Sequence, residues 1–128
     1  LVSVAAALLS ATSVSAETLN CKLTELRSSG GWIPVHSTIT YDPEAKTTEV
    51  KFKSGKETIT ESGKIETLNA KRVTFIYKVE GLKSKTNQYL PTMMYRATYM
   101  FKTNQFRVGA TPLGYANSFR ATGGCSKV

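Results

Sequence analysis

The sequence is poor in the residues from which metal and catalytic centres are built. It contains one histidine, His36, and two cysteines, Cys21 and Cys125, in 128 residues. A structural zinc site requires four clustered nitrogen or sulfur ligands, and this chain cannot supply them once the cysteines pair with each other. The glycine pairs at 30–31 and 123–124 lack the flanking residues and the following helix of a phosphate-binding loop. We therefore predict neither a metal site nor a bound cofactor.

Acidic side chains are missing from the C-terminal part of the chain. The formal net charge is +8, to which Leu1–Ala16 contributes nothing. Glu17–Glu80 has a balance of +1, whereas Gly81–Val128 holds seven basic residues and no carboxylate side chain. Such an asymmetry indicates an anionic partner. The candidate anion-binding residues of this part are Lys83, Lys85, Arg96, Lys102, Arg107 and Arg120.

The one long apolar run is at the N-terminus. Leu1–Ala16 carries no charge, and its last three residues fit the small-x-small rule for signal-peptidase cleavage. A membrane-spanning helix needs about 20 apolar residues, and this run is shorter and ends in small and hydroxyl side chains. We therefore predict a signal peptide over 1–16, a single domain over 17–128 and an exported, periplasmic or secreted protein. Because no initiator Met or basic segment precedes the run, we expect the natural start upstream of Leu1.

Export and an even number of cysteines together predict a disulfide. Cys21 lies near the start of the predicted mature chain and Cys125 near its end, so only one pairing exists. Closing a loop of about 100 residues stabilises a fold by up to ~4.7 kcal/mol in the chain-entropy model. The alternative is two buried free thiols.

Alternating apolar and polar residues predict an all-β protein. In the central segment Lys71–Val79, every second residue from Val73 onward is apolar or aromatic, as in a strand with one buried face. Met93–Phe101 alternates in the same way. Shorter strands are predicted at Cys21–Arg27, Trp32–Tyr41, Val50–Lys53, Thr58–Thr60, Phe106–Ala110 and Tyr115–Cys125.

Proline and glycine mark the limits of these strands. Pro34 cannot donate a ladder hydrogen bond, so the second strand is expected to start late or to lie at an edge or bulge. Hairpin turns are predicted at Ser54-Gly55 and again at Ser62-Gly63.

About eight short antiparallel strands in one domain predict a small closed or partly open barrel, with a β-sandwich as the alternative. The barrel is favoured because a disulfide between the chain ends brings the first and last strands together. Large inward side chains, among them Tyr77, Tyr95 and Tyr99, either fill such a barrel or surround one small ligand.

The candidates for catalysis are His36 and three glutamates. His36 is predicted to face solvent, and no Ser-His-Asp or Cys-His signature accompanies it. Glu57, Glu61 and Glu66 lie among lysines, as on a solvated strand face, rather than in a pair suited to acid–base chemistry. We therefore predict a protein that is not an enzyme.

Several short markers give the sequence a resemblance to known proteins. Trp32, the segment Tyr41-Asp42-Pro43 and the Gly124-Cys125 ending resemble a group of small, uncharacterised exported proteins of alphaproteobacteria. The resemblance runs along much of the predicted mature chain and implies export, but it carries no named activity and no functional residues. In size and disulfide the chain is also similar to small calycin-like barrels and periplasmic lysozyme-inhibitor barrels, a likeness of fold that does not confer function.

Strand parity gives the basic residues a common direction. Arg96, Lys102, Arg107 and Arg120 are predicted to point outward, and they form one patch if the late strands are neighbours. We predict an exported, non-catalytic protein that engages an anionic envelope or surface partner, such as acidic lipid head groups, polysaccharide or another acidic macromolecule. The alternatives are a barrel carrying an apolar ligand and, last, an envelope enzyme using His36 or a glutamate pair. Nucleic acid is disfavoured because export separates the chain from most of it.

Overall fold

Side chains that alternate between a buried and an exposed face define the regular structure. The computed structural model of the protein describes residues 16–81, 88–89 and 91–128, so residues 1–15 of the predicted signal peptide lie outside the described part. Within that part the chain forms eight strands and no helix that could span a membrane. The strands are β1 (Glu17–Glu25), β2 (His36–Asp42), β3 (Thr47–Ser54), β4 (Glu57–Leu68), β5 (Arg72–Val79), β6 (Met93–Met100), β7 (Gln105–Pro112) and β8 (Phe119–Lys127).

The strands form one antiparallel sheet that closes on itself. Each strand pairs with its neighbours in the sequence, and β8 pairs with β1 to complete a barrel. The predicted all-β barrel is confirmed, and the β-sandwich alternative is wrong. Successive hairpins place the connections of 26–35, 55–56 and 113–118, together with the end of β5 at Val79 and the start of β6 at Met93, at one end of the barrel, called here the loop end. The short turns 43–46, 69–71 and 101–104 lie at the other end, called the turn end.

The predicted disulfide is present at the seam between β1 and β8. Cys21 and Cys125 are register partners with a Cα–Cα distance of 4.0 Å, and both side chains are buried. The bridge spans 104 positions of sequence and links the two strands that close the barrel. It therefore fixes the chain ends at the point where the sheet closes.

Aromatic side chains occupy much of the barrel interior. Phe75 on β5 is fully buried, and its ring lies 5.2 Å from that of Tyr41. The rings of Tyr77 and Tyr95 stack at 5.1 Å with an interplanar angle of 7°. Lys78, of opposite parity, is exposed. The predicted inward faces of β5 and β6 are thus confirmed, whereas Thr74 on the predicted outward face of β5 is buried beside Thr98.

The β1–β2 loop folds onto the loop end of the barrel. The Tyr95 hydroxyl donates a hydrogen bond of 2.6 Å to the Trp32 carbonyl oxygen, and the Trp32 ring lies 6.0 Å from that of Phe119. Ile33 is buried in the same region. These contacts tie the loop to β6 and β8.

Several predicted strand limits differ from the structure. β1 begins at Glu17, four residues before the prediction, because its pairing with β2 extends to Glu17 and Tyr41. β2 begins only at His36, as expected from Pro34, and the preceding residues form a turn in which the Trp32 amide donates to the Ser29 carbonyl. Val35, which has the same strand parity as the buried Ile39, is 38% exposed as a result.

The predicted Ser62-Gly63 turn is wrong, because β4 runs without interruption through these residues. Gly63 is needed for close approach. A Cβ at this position would collide with the Ile76 carbonyl oxygen and lie 2.9 Å from Cβ of Tyr77. A glycine inside a strand can thus mark close packing instead of a reversal of the chain.

Candidate anion-binding site

Three of the predicted anion-binding residues lie on the outer surface of the neighbouring strands β6, β7 and β8. Arg96 pairs in register with Gly109 from one side, and Arg120 pairs with Gly109 from the other. Adjacent strands lie about 4.8 Å apart, so the two arginines start about 10 Å from each other with only a glycine between them. Arg107, two residues before Gly109 on β7, points to the same outer face.

A depression of about 300 Å³ lies at this position. Its centre is open because Gly109 has no side chain. A Cβ placed there would find only the carbonyl oxygens of Arg96 and Phe119, at 3.9 and 4.0 Å, within 4 Å. The depression is lined by Arg96, Thr98, Arg107, Val108, Gly109, Arg120, Ala121 and Thr122. We call Arg96, Arg107 and Arg120 around Gly109 the arginine site.

Two threonines complete the row that contains Arg107. Thr98 on β6 and Thr122 on β8 are its register partners, and partners in register project to the same face of a sheet. Nε of Arg107 donates to Oε1 of Gln105 at 3.1 Å, a contact that orients the guanidinium along the strand. The Thr98 hydroxyl lies 2.9 Å from that of Thr74, which holds it in place.

One arginine of the site has a carboxylate partner. Nη2 of Arg96 lies 2.6 Å from Oε1 of Glu66, a residue of β4 two strands away. The side chains are 62% and 35% exposed, so solvent screens the pair. In the described part of the chain, Arg107 and Arg120 form no ion pair. The three arginines and Glu66 together carry a formal charge of +2.

A second carboxylate borders the site on the β1 side. Glu25 is the register partner of Thr122, on the side away from Arg107. Its carboxylate forms an ion pair of 3.7 Å with Arg27, which compensates its charge. The uncompensated positive charge therefore lies with Arg107 and Arg120.

One further predicted anion-binding residue, Lys102, does not join this site. Lys102 was expected to continue β6 on the same face as Arg96, but the strand ends at Met100 and Lys102 lies in the turn 101–104 at the turn end of the barrel. Lys83 and Lys85 lie outside the described residues.

The contributions of Gly109 and Glu66 to the site were not predicted from the sequence. Gly109 could have been noticed as a glycine inside a strand pattern, which marks close approach or open space. Glu66 follows Ile65 at a register shift between β4 and β5, and no sequence signal locates that shift.

The suspected catalytic histidine has cationic surroundings. His36 is exposed at the start of β2 and lines an open cleft of about 790 Å³ together with Lys51 and Lys53. The described residues that line this cleft include no carboxylate. Across the described ranges, no group of three or more His, Cys, Asp or Glu side chains is arranged to hold a metal ion.

The glutamates of β4 are separated in direction and environment. Glu66 points to Arg96, whereas Glu61 is the register partner of the fully buried Val50 and so projects toward the interior. Burial raises the pKa of the Glu61 carboxyl, and the nearby charge of Glu80 raises it further. Neither glutamate is placed to work with His36 on β2.

Comparison with known proteins found no match from which a function could be inferred. No protein-family model matches the chain, and no curated protein and no solved structure matches it either.

Proposed function

We propose that this chain is an exported, non-catalytic binding protein that engages an anionic surface partner through the arginine site. The observation that carries the proposal is that Arg96, Arg107 and Arg120 project from neighbouring strands and line one depression at Gly109. Basic residues that only increase solubility need not lie close together. Here three arginines line one depression.

The chemistry of arginine suits this role. A guanidinium is planar, always charged, and presents several N–H donors that match the oxygens of carboxylate, phosphate and sulfate groups. The three backbones belong to neighbouring strands of a closed sheet, which fixes the positions from which the side chains project. The barrel therefore acts as a rigid support for the site.

The compartment proposed for this function is outside the cytoplasm. A disulfide between Cys21 and Cys125 is compatible with an oxidising environment, where such bonds persist. Acidic lipid head groups and polysaccharides are the abundant anionic surfaces there. These are the partners for which the site is proposed.

The alternative of a barrel that carries an apolar ligand has less support. Tyr77 and Tyr95, expected to line a cavity, stack on each other. The hydroxyl of Tyr99 donates to the Asn104 side chain at 2.8 Å, and its ring meets that of Phe101 edge-on at 5.8 Å. These contacts favour a filled interior over a ligand cavity.

The proposal is tested by binding of the disulfide-bonded protein to heparin and to vesicles that contain an acidic lipid. Binding should weaken steeply as salt rises, because screening acts over about 10 Å at 0.1 M. The double charge reversal Arg107→Glu with Arg120→Glu should abolish it. The matched control, Lys53→Glu with Lys56→Glu on the β3–β4 side, makes the same change in net charge and should retain binding. Equal loss in both variants, or binding insensitive to salt, would contradict the proposal.

A further inference from the structure

We propose that the group recognised by the arginine site is a single tetrahedral oxyanion, a phosphate or sulfate ester, and not a carboxylate. This inference rests on the proposed function and names the chemistry of its ligand. It depends on the shape of the depression, on the directions from which its donors approach and on the charge already present.

The depression has room for one compact group. Its volume of about 300 Å³ is centred on Gly109, whose missing side chain leaves the floor open between Arg96 and Arg120. The β-sheet hydrogen bonds occupy the backbone amides of these strands. Recognition therefore depends on the side chains that surround the floor.

Those side chains project from three neighbouring strands. Arg96 lies on β6, Arg120 on β8, and Arg107 in the adjacent row of β7. The Arg96 guanidinium contacts Glu66 and Nε of Arg107 contacts Gln105, so both side chains turn toward Gly109 when the anion binds. A carboxylate is planar and has two oxygens, so it can meet two forked guanidinium groups. A phosphate or sulfate ester has three terminal oxygens arranged around one atom, so it can meet all three. The hydroxyls of Thr98 and Thr122, beside Arg107, add neutral donors to the same side.

The charge of the site matches a dianion. Three arginines and Glu66 carry +2, and a phosphate monoester carries about −1.5 to −2 at pH 7. Glu66 already supplies one carboxylate to Arg96 at 2.6 Å. An incoming carboxylate would repeat that contact, whereas a tetrahedral oxyanion offers a third acceptor oxygen to Arg107 and Arg120, and a phosphate monoester also offers more charge.

Glu66 is thereby an internal competitor for the ligand. With Glu66 paired, the guanidinium of Arg96 is held toward β4, on the side of β6 away from Gly109. Glu66→Gln would release the guanidinium and raise the charge of the site. The variant should therefore bind the oxyanion several-fold more tightly than the wild-type protein.

Small probes test this chemistry directly. The disulfide-bonded protein is titrated at constant ionic strength with methyl phosphate, methyl sulfate and acetate, and amide chemical shifts report the binding. We expect methyl phosphate or methyl sulfate to bind at least tenfold more tightly than acetate. A tighter methyl phosphate indicates a phosphate monoester, such as a lipid head group that ends in one, and a tighter methyl sulfate indicates a sulfated polysaccharide. Acetate that binds as tightly as both esters overturns the inference.

Variants locate the effect at this site. Gly109→Val fills the floor, where an added Cβ meets only the Arg96 and Phe119 carbonyl oxygens within 4 Å at ordinary contact distances, and should weaken ester binding at least tenfold while the barrel stays folded. Arg107→Lys keeps the charge but removes the fork, and should also weaken it. Ester binding that is unchanged by Gly109→Val, or weakened by Glu66→Gln, overturns the inference.

Different experimental results would contradict the proposed function and the proposed ligand chemistry. If vesicles and heparin bind through Arg107 and Arg120 but acetate binds as tightly as the esters, only the identity of the group is wrong. If no anion of any size binds, the proposed function itself fails.

Discussion

Cys21 and Cys125 face each other across β1 and β8, so one covalent bond and the hydrogen bonds of the same strand pair close the barrel together. Replacing the pair by alanine should lower the free energy of unfolding by about 2–5 kcal/mol, the usual loss for a small disulfide-bonded domain. Denaturant unfolding measures the change, with reduced wild-type protein as the control. Two thiols that alkylate freely in the native protein would refute the bond.

The faces of β5 give a second prediction. Phe75 is fully buried against Tyr41, so Phe75→Ala should cost about 3–5 kcal/mol of stability. Lys78→Ala on the outer face of the same strand is the matched control and should change stability by less than about 0.5 kcal/mol. A costly Lys78 substitution beside a harmless Phe75 substitution would mean that the register is displaced by one residue.

The hydrogen bond from Tyr95 to the Trp32 carbonyl should hold the β1–β2 loop on the barrel. Tyr95→Phe leaves that carbonyl without this donor and should lower stability by about 1–3 kcal/mol. Hydrogen exchange of the 26–35 amides should also accelerate. Burial raises the pKa of Tyr95 to about 12, so the contact should persist through the mildly alkaline range. Tyr115→Phe, at a position 62% exposed, should leave both measurements unchanged.

Glu61 should make stability depend on pH in a definite direction. Burial raises the pKa of its carboxyl above 4.5 in the folded protein, so the folded state holds this proton more tightly than the unfolded chain. The contribution of Glu61 to stability is then greatest at acid pH and falls as pH rises through the raised pKa. Glu61→Gln should remove this loss and stabilise the protein near neutrality by about 0.2–1 kcal/mol.

Chemical unfolding of both proteins across pH 3–8 checks the sign. The two curves should differ least at low pH and separate as pH rises. A wild-type protein that gained stability relative to Glu61→Gln over this interval would contradict the assignment.

Much of the fold could be predicted because alternation of period two is a local property. Val73, Phe75 and Tyr77 share a face in any extended conformation, and the terminal cysteines favoured closure of the sheet. The predictions that were wrong also have local causes. Gly63 provides close approach of strands, which the sequence cannot distinguish from a turn, and the position at which β6 ends decided the direction of Lys102.

The candidate site was predictable only in part. Alternation gave the outward direction of Arg96, Arg107 and Arg120 separately. Their convergence depends on the adjacency of β6, β7 and β8 and on a register that pairs Gly109 with an arginine on each side. The ion pair between Arg96 and Glu66 joins β6 to β4, two strands away, and depends on the register shift between β4 and β5. No local sequence pattern predicts it.

Mapping the bound anion on the protein tests the central claim most directly. Inorganic phosphate is titrated into the disulfide-bonded, isotope-labelled protein, and amide and arginine Nε shifts are followed at constant ionic strength. The largest changes should centre on Gly109 and on the guanidinium groups of Arg107 and Arg120, and they should disappear in Gly109→Val. Changes centred on the cleft of His36, Lys51 and Lys53, or spread evenly over all basic residues, would contradict the assignment of the arginine site.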